Sequence, residues 1–318
     1  MKDKSQAEKT AAERQVELLS TALGSAPSAN GYWLNASGKT YPSFYPKGLT
    51  VSPFNALIMS LHSDKSGSKT NLFMLFSEAK RQGVAVREHE RGVPFLFYNW
   101  NQYANRNNPK DIISRNDYQA LDVEQQKQYK GVHNREIRTL FCIDQTTMPF
   151  ANEKEYKKLL ADYGTAEERG QGEGDDRAMH VSFNDFLLKM RDNLVPIRTD
   201  GSGVAHYDTE KDAVYMPRQK DFEHYNDYVQ ETLRQIVSAT GHQQRLAREG
   251  MVMKNGTAPS EDAIKKERLV AELASGVKML ELGLPARLSE EGLHLTDYWV
   301  RELKENPCLI DAVESDVN

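Results

Sequence analysis

The stretch GTAEERGQGEGDDR, residues 164–177, divides the 318-residue chain into two parts. It is acidic and rich in glycine and has no apolar periodicity, a composition that favours an exposed linker. Each flanking part is long enough to bury a core of its own. The sequence therefore predicts a helical segment in residues 1–30, a first domain in 31–150, a connecting helix and linker in 151–178 and a second domain in 179–318.

Both predicted domains mix helices with strands, so the expected fold class is α+β with two domains. Apolar spacing and stop signals predict each element. In the first part the predicted elements are helices over 5–24 and 71–83, a hairpin over 84–98 and a strand over 135–144. In the second part they are a hairpin over 203–217 and helices over 225–240, 261–282 and 296–307, the last with Thr296 as its N-cap.

The composition disfavours several classes of protein. No apolar run approaches the roughly 18 residues of a membrane-spanning helix, and the first residues, MKDKSQAEKTAAERQ, lack the apolar core of a secretion signal. The two cysteines, Cys142 and Cys308, are too few for a disulfide framework or a cysteine zinc site. We therefore expect a cytoplasmic protein without a cofactor.

The net charge of −5 hides an asymmetry along the chain. Residues 31–149 contain 15 lysines and arginines against 10 aspartates and glutamates, a net charge of +5. The rest of the chain therefore contains 26 basic against 36 acidic residues, a net charge of −10. One part of the chain can attract phosphate groups while the other repels them.

The second part carries an ordered series of motifs: a hairpin ending in DAVYMP, a helix ending in TGHQQRLAR, a long helix with LVAEL and a closing LTDYWVRELKENPCLIDAV. In this order they resemble the zincin-like metallopeptidase domain of the ArdC-type antirestriction proteins. The resemblance implies a helix that carries H-E-x-x-H directly before x-T-G-H. In that motif two imidazoles bind zinc, and the glutamate takes a proton from the bound water.

The chain departs from this motif at every position on which the chemistry depends. Alignment on ATGH, residues 239–242, places Arg234 and Ser238 at the two histidines and Gln235 at the glutamate. A guanidinium is always protonated and cannot ligate a cation, an amide has no basic site, and a serine hydroxyl is a poor zinc ligand. The sequence therefore predicts a pseudo-metallopeptidase with no catalytic residue and no bound metal.

Two further points concern this degenerate site. The resemblance implies an acidic metal ligand in or near the segment RLVAE, residues 268–272, and we hypothesise that Arg234 supplies the missing positive charge by pairing with Glu272 or Glu267. Histidine 242 follows the helix end, where its side chain can donate to free carbonyls, so a structural role is expected for it. The predicted degenerate site comprises Arg234, Gln235, Ser238, His242, Glu267 and Glu272.

The first part has a resemblance of its own, carried by YPKGLTVSPFNALIMSL, FMLFSEAKRQGVAVREHERGVPFLFYNW and LFCIDQT. In their order these segments resemble the N-terminal domain that ArdC-type proteins share with TraC-type plasmid primases. The resemblance implies a domain that binds single-stranded DNA. This chain has Glu88 and His89 where that pattern has Lys-Gly.

Single-strand binding needs cations for the phosphates and aromatic rings that stack on bases. The predicted DNA-contacting residues are Lys80, Arg81, Arg87, Arg91, Tyr98, Trp100 and Tyr103. Aromatic residues in an apolar strand also fit a protein core, and Glu88 and Glu90 weaken the basic patch. We therefore expect weak to moderate, salt-sensitive binding of single-stranded DNA.

Together the two resemblances predict a non-catalytic protein of a mobile genetic element, such as a conjugative transposon, that binds single-stranded DNA. Two alternatives are open at this point. The acidic second domain and its vacated cleft would suit a protein-interaction module without DNA. A metal relocated to His206, His224, His242 or Glu272 would instead make the chain a metallopeptidase.

Overall fold

The structure is a computed structural model that describes residues 6–35, 38–46, 51–169, 176–201, 203–253 and 256–318, except for the side chains of residues 6–9, 98–100, 133–135, 176–178 and 308. The described residues form the helices α1 (Gln6–Ser25), α2 (Pro53–Lys65), α3 (Phe76–Arg81), α4 (Arg115–Ala120), α5 (Val123–Gln126), α6 (Met148–Ala151), α7 (Glu153–Tyr163), α8 (Asp176–Asn193), α9 (Tyr225–Thr240), α10 (Glu261–Glu281), α11 (Glu290–Glu305) and α12 (Cys308–Val317). They also form the strands β1 (Tyr32–Leu34), β2 (Ser43–Phe44), β3 (Leu72–Leu75), β4 (Val93–Asn105), β5 (Ile112–Ser114), β6 (Tyr129–Cys142), β7 (Ile197–Thr199), β8 (His206–Asp208), β9 (Ala213–Met216) and β10 (Ala286–Arg287).

The first part of the chain is built on a five-stranded sheet with the order β2-β3-β6-β4-β5. Its long central pair, β4 and β6, is antiparallel and runs from Val93 opposite Leu140 to Asn105 opposite Tyr129. Helix α2 packs against β4, and Val93 and Leu140 are fully buried there. The sheet therefore has a buried end beside α2 and a far end that carries β5.

The largest hydrophobic core joins helices from both parts of the chain. Helix α1 packs against α11 and α2, helix α10 packs against α2 and α12, and β1 pairs antiparallel with β10. Trp33 of β1 lies directly on Gly276 of α10, where an added Cβ would come within 2.4 Å of the indole ring. This close approach requires glycine.

An exposed ion-pair cluster also ties α1 to α2. The Glu17 carboxylate accepts from Lys65 of α2 at 2.6 Å and from Arg14 at 2.5 Å. Hydrogen bonds from Lys65 and then from Arg14 lower the pKa of Glu17 from 4.5 to about 2. Because the pKa is lower in the folded state, the stabilising contribution is present above pH 4.5 and is lost as the pH falls toward 2.

We expect Glu17→Gln to lower the free energy of unfolding at pH 7 by less than about 1 kcal/mol, since Glu17 and Lys65 are nearly half exposed and solvent screens their charges. The difference between variant and natural chain should shrink as the pH falls from 4.5 to about 2, the interval between the two pKa values. Urea unfolding of both chains across this range measures it. A difference that stays constant with pH would show that the ion pairs are not its cause.

The second part of the chain places a small sheet beside two packed helices. The strand order is β7-β9-β8, with β8 antiparallel to β9. Helix α9 packs against α10 on one side and against β8 and β9 on another. Val229, Leu233 and Ile236 of α9 are buried in this packing. The polar side of α9 is left facing a space between β8 and α10.

Most elements that the sequence predicts are present. The helices over 5–24, 225–240 and 261–282, the strand over 135–144 and the hairpin over 203–217 correspond to α1, α9, α10, β6 and β8–β9. The α+β class is confirmed, while the exact residues at which the domains divide stay a prediction. No described helix combines the length and apolarity that a membrane span requires.

Two predictions in the first part are wrong. The predicted helix over 71–83 is β3 followed by the short α3, because Leu72, Phe73 and Met74 are all buried and the strand pairs with β6. The predicted hairpin over 84–98 does not form. Val86 makes an isolated bridge to Thr146, and β4 begins at Val93 and pairs with β6 instead.

The predicted N-cap of the 296–307 helix is also wrong. Helix α11 begins at Glu290, and its cap is Ser289, whose hydroxyl accepts from the Gly292 N–H at 3.0 Å. Thr296 lies buried inside this helix and donates to the Gly292 carbonyl at 3.0 Å. The true cap satisfies an otherwise unpaired N–H at the start of the helix, which Thr296 cannot do.

Candidate functional site

A cleft of about 830 Å³ opens between strand β8, helices α9 and α10 and the start of α11. Five of the six residues of the predicted degenerate peptidase site line it, and these are Arg234, Gln235, Ser238, Glu267 and Glu272. The first three project from α9 and the two glutamates from α10. The two helices therefore enclose a cleft at the position of the predicted peptidase site, and Arg234, Gln235 and Ser238 occupy the places of the motif's histidines and glutamate.

Arg234 crosses this cleft and uses all three nitrogens of its guanidinium. Its Nε donates to Glu272 Oε2 at 2.9 Å, and its Nη1 donates to Glu231 Oε2 at 2.8 Å. Its Nη2 donates to the Arg287 carbonyl. The hypothesis that Arg234 pairs with Glu272 or Glu267 is confirmed for Glu272.

The Arg234–Glu272 pair is buried and fully hydrogen-bonded. The side chains are 11% and 3% exposed, and the second oxygen of Glu272 accepts from the Ser289 N–H at 2.9 Å and the Ser289 hydroxyl at 2.5 Å. Burial works against the charged arginine, but the charges of Glu272 and Glu231 raise the pKa of Arg234 above its ordinary value. Arg234 therefore stays charged, and the hydrogen bonds of the pair connect α9 with α10 and α11.

A second buried pair, which the sequence did not predict, lies beside the first. Arg248 donates through Nε and Nη2 to both oxygens of Glu267, at 2.8 and 2.7 Å, and both side chains are 4% exposed. The same guanidinium donates to the Thr240 hydroxyl at 2.7 Å and the Val237 carbonyl at 2.6 Å. Arg248 ends the motif TGHQQRLAR, but only the fold shows that the loop after α9 returns to α10.

The glycine of this motif provides the space for Arg248. Gly241 has φ −77° and ψ −3°, a right-handed conformation open to any residue. A Cβ added there would lie 2.9 Å from Arg248 Nη2 and 2.7 Å from Met251 Cγ. Gly241 directly follows the last residue of α9, and the buried guanidinium is what requires a glycine at this position.

The side chains in the cleft do not fit a catalytic metal ion. The resemblance left open which glutamate would be the metal ligand, and both candidates are occupied: Glu272 binds the Arg234 guanidinium and Glu267 binds Arg248. The Gln235 amide donates to Glu231 Oε1 at 2.7 Å and offers no base. Among the described residues, no group of three or more His, Cys, Asp or Glu side chains is arranged to hold a metal ion.

The histidines considered as replacement ligands lie in different places. His206 of β8 lines the cleft and stacks on Tyr215, with ring centroids 5.1 Å apart. His224 precedes α9 and lines a separate cavity of about 470 Å³. His242 follows α9 and is not part of the cleft lining.

The carbonyl-capping role predicted for His242 is wrong. His242 Nδ1 accepts from the Gln244 N–H at 3.3 Å. The Ala239 carbonyl near the helix end accepts from Arg245 Nε at 2.7 Å and from the backbone N–H of His242 at 3.1 Å. Arg245 also reaches Asp212 with Nη1 at 3.1 Å, so the longer guanidinium anchors the end of α9 to the β8–β9 hairpin.

Known proteins match both parts of the chain. Residues 12–141 match the family described as the N-terminal domain of anti-restriction factor ArdC, and residues 188–314 match the family of zincin-like metallopeptidases named MPTase-PolyVal. The chain is of the ArdC type. Two crystal structures of the antirestriction ArdC protein from the R388 plasmid, metal-free and Mn(II)-bound, share the fold of this ArdC-type chain, with TM-scores of 0.57 and 0.60. Each is 18% identical in sequence, and each alignment covers 95% of this chain and 93% of the other. No curated protein matches the chain.

In this ArdC-type chain the predicted DNA-contacting residues do not form one patch. The four cations are exposed and lie on α3 or in the segment between α3 and β4, and they are Lys80, Arg81, Arg87 and Arg91. Tyr103 lies ten residues beyond the first residue of β4, about 33 Å along the strand. The backbone of Tyr98 and Trp100 belongs to β4, but their side chains lie outside the described residues.

Several of these side chains have partners within the protein. Arg81 pairs with Glu78 and Arg87 pairs with Glu90, each at 2.6 Å. At the far end of β4, Tyr103 stacks on Tyr118, with ring centroids 3.8 Å apart and planes 4° apart. One face of the Tyr103 ring is therefore covered. The four cations thus belong to one short exposed segment, residues 80–91, and Tyr103 lies outside it.

Proposed function

We propose that this chain is a non-catalytic antirestriction protein of the ArdC type, whose first domain binds single-stranded DNA. The observation that carries the loss of catalysis is the guanidinium of Arg234 on Glu272 inside an open cleft. The positive charge beside Glu272 therefore comes from the Arg234 side chain and not from a metal ion. Hydrolysis by the zincin mechanism needs a metal-bound water and a base, and neither is supplied by these side chains.

Single-strand binding is supported by the charge distribution and by the exposed cations near the start of β4. Residues 31–149 carry a net charge of +5 within a chain of −5. Lys80 and Arg91 are exposed, and their ammonium and guanidinium groups have no acidic partner within ion-pair distance among the described residues. Cations of this kind bind phosphate without regard to sequence and give salt-dependent affinity.

We expect the purified chain to bind a labelled 20-nucleotide single strand with an affinity that falls as salt rises. Lys80→Gln/Arg91→Gln should weaken binding and reduce the salt slope by about 1.4, since each phosphate contact on a single strand contributes roughly 0.7. Fluorescence anisotropy between low and moderate salt measures both.

The matched control is Lys220→Gln/Lys304→Gln, which makes the same charge change at exposed positions in the second domain. This control should leave the slope unchanged. Equal effects of the two double variants would assign binding to overall charge and not to the segment before β4. No binding by the natural chain at low salt would reject the DNA part of the proposal, and hydrolysis of a casein substrate would reject the non-catalytic part.

A second candidate function is a protein-interaction module that uses the vacated cleft. It is favoured by the size of the cleft, which keeps a volume of about 830 Å³ although Arg234 occupies part of it. A cavity of this volume is large enough for several side chains of a partner. The two functions use different domains, so a chain of this type can perform both.

A further inference from the structure

Two smaller cavities follow the cleft along α9. A cavity of about 190 Å³ shares Phe222, Glu231 and Arg234 with the cleft, and it shares Asp227 with the 470 Å³ cavity at the start of α9. The three cavities thus lie in a row along α9 and share wall residues, and we call this row the α9 groove. From Asn226 to Ser238 the groove follows about 18 Å of helix.

This α9 groove is acidic. Three arginines line it, namely Arg234, Arg268 and Arg287, while its carboxylates are Glu223, Asp227, Glu231, Glu267, Glu272, Glu290 and Glu291. Glu267 is paired with Arg248, which does not line the groove. Six carboxylates then remain for three arginines, so at least three negative charges have no arginine to balance them. Glu290 is exposed and has no ion-pair partner among the described residues.

An unpaired polar group also points to a ligand. Ser238 is 4% exposed, and it lines the cleft without a hydrogen-bond partner for its hydroxyl among the described residues. The rest of the residue is packed, and the hydroxyl is the part that reaches the open space of the cleft. A ligand in the cleft can therefore form a hydrogen bond with it without displacing a protein partner.

We propose that the α9 groove binds an extended, lysine- or arginine-rich segment of a partner protein. This inference rests on the second candidate function, the interaction module, and names the chemistry of its partner. About 18 Å of groove accommodates five to six residues of extended chain at about 3.3 Å each. Basic side chains enter the cleft, where carboxylates surround them and the Ser238 hydroxyl binds the segment.

The apolar rim of the cleft fits the same ligand. Val204 is 65% exposed and Ile264 is 40% exposed, and both line the opening. Lysine and arginine carry long aliphatic stems that pack on such surfaces while the charged end reaches polar groups. Nucleic acid does not fit the groove, because its phosphates would meet an excess of carboxylates.

The test uses the full chain and two fluorescein-labelled octapeptides, one alternating lysine with alanine and one alternating glutamate with alanine. We expect the lysine peptide to bind at least ten-fold more tightly at low salt and the difference to fall as salt screens the charges. Fluorescence anisotropy gives both dissociation constants.

Two variants locate the binding site. Glu223→Gln/Glu290→Gln should weaken lysine-peptide binding about five-fold, while Glu210→Gln/Glu305→Gln, with the same charge change outside the groove, should not. Ser238→Leu should block the cleft and reduce binding further, with far-UV circular dichroism checking that this variant folds. The two glutamate variants do not depend on that check.

Equal effects of the two glutamate double variants would overturn the proposal. Tighter binding of the glutamate peptide, lost in Ser238→Leu, would keep the interaction function and overturn the basic partner. If neither peptide binds, both the proposed basic partner and the interaction function on which it rests are rejected. Self-association of the chain that Glu223→Gln/Glu290→Gln abolishes would assign the groove to a second copy and overturn the proposal as stated.

Discussion

Replacing Arg234 with alanine is expected to lower the free energy of unfolding by about 3–5 kcal/mol, because Glu272 would stay buried without a compensating cation. Glu272 is 2% exposed, and its remaining partners are the N–H and hydroxyl of Ser289. Those hydrogen bonds do not neutralise the charge. Guanidinium unfolding followed by circular dichroism at pH 7 measures the change.

The matched control is Arg268→Ala on the rim of the same cleft. Arg268 pairs with Glu291 at 3.0 Å, but the side chains are 44% and 54% exposed, so a loss below about 1 kcal/mol is expected. Removing both buried charges, as in Arg234→Met/Glu272→Leu, should recover much of the loss, since apolar pairs of similar volume often replace buried ion pairs. A loss for Arg234→Ala no larger than for Arg268→Ala would mean that the buried pair behaves as a surface pair.

Restoring the three missing groups is expected to restore metal binding. Positions 234 and 238 are one helical turn apart and line the cleft together with Glu272. In the variant Arg234→His/Gln235→Glu/Ser238→His, two imidazoles and the Glu272 carboxylate would form a three-ligand set of the catalytic zinc type. We expect about one equivalent of zinc after dialysis, measured by mass spectrometry of the metal content.

The control for this experiment keeps the arginine. Gln235→Glu/Ser238→His adds one imidazole and the base but retains the guanidinium on Glu272, so it should bind almost no zinc, like the natural chain. If the triple variant folds and binds no more zinc than this control, the cleft no longer has the shape of a metal site. Binding by the control would instead show that Arg234 does not exclude the ion.

The sequence predicted the centre of the candidate site better than its surroundings. Arg234 stands where the resemblance places a zinc-binding histidine. That position was enough to predict a carboxylate partner, because the guanidinium can replace the positive charge of the missing ion. The Arg248–Glu267 pair was missed although both residues are visible in the sequence. They are 19 residues apart in the chain, and their contact depends on the path of an irregular loop.

The fold shows the same limit. Helices α9 and α10 have strong apolar spacing and were predicted close to their observed bounds. Strand β3 was mistaken for a helix because three consecutive buried side chains do not reveal their period. The hairpin predicted over 84–98 failed for a related reason: the partner of β4 is β6, which follows it by more than 20 residues.

The contact of Trp33 with Gly276 has a consequence for how such proteins diversify. The indole and the glycine belong to the two parts of the chain that match different families, and any side chain at position 276 would collide with the indole. A recombination event that exchanged one part for that of a distant relative would have to bring a compatible surface at this point. The two halves are therefore expected to be inherited together, as a matched pair.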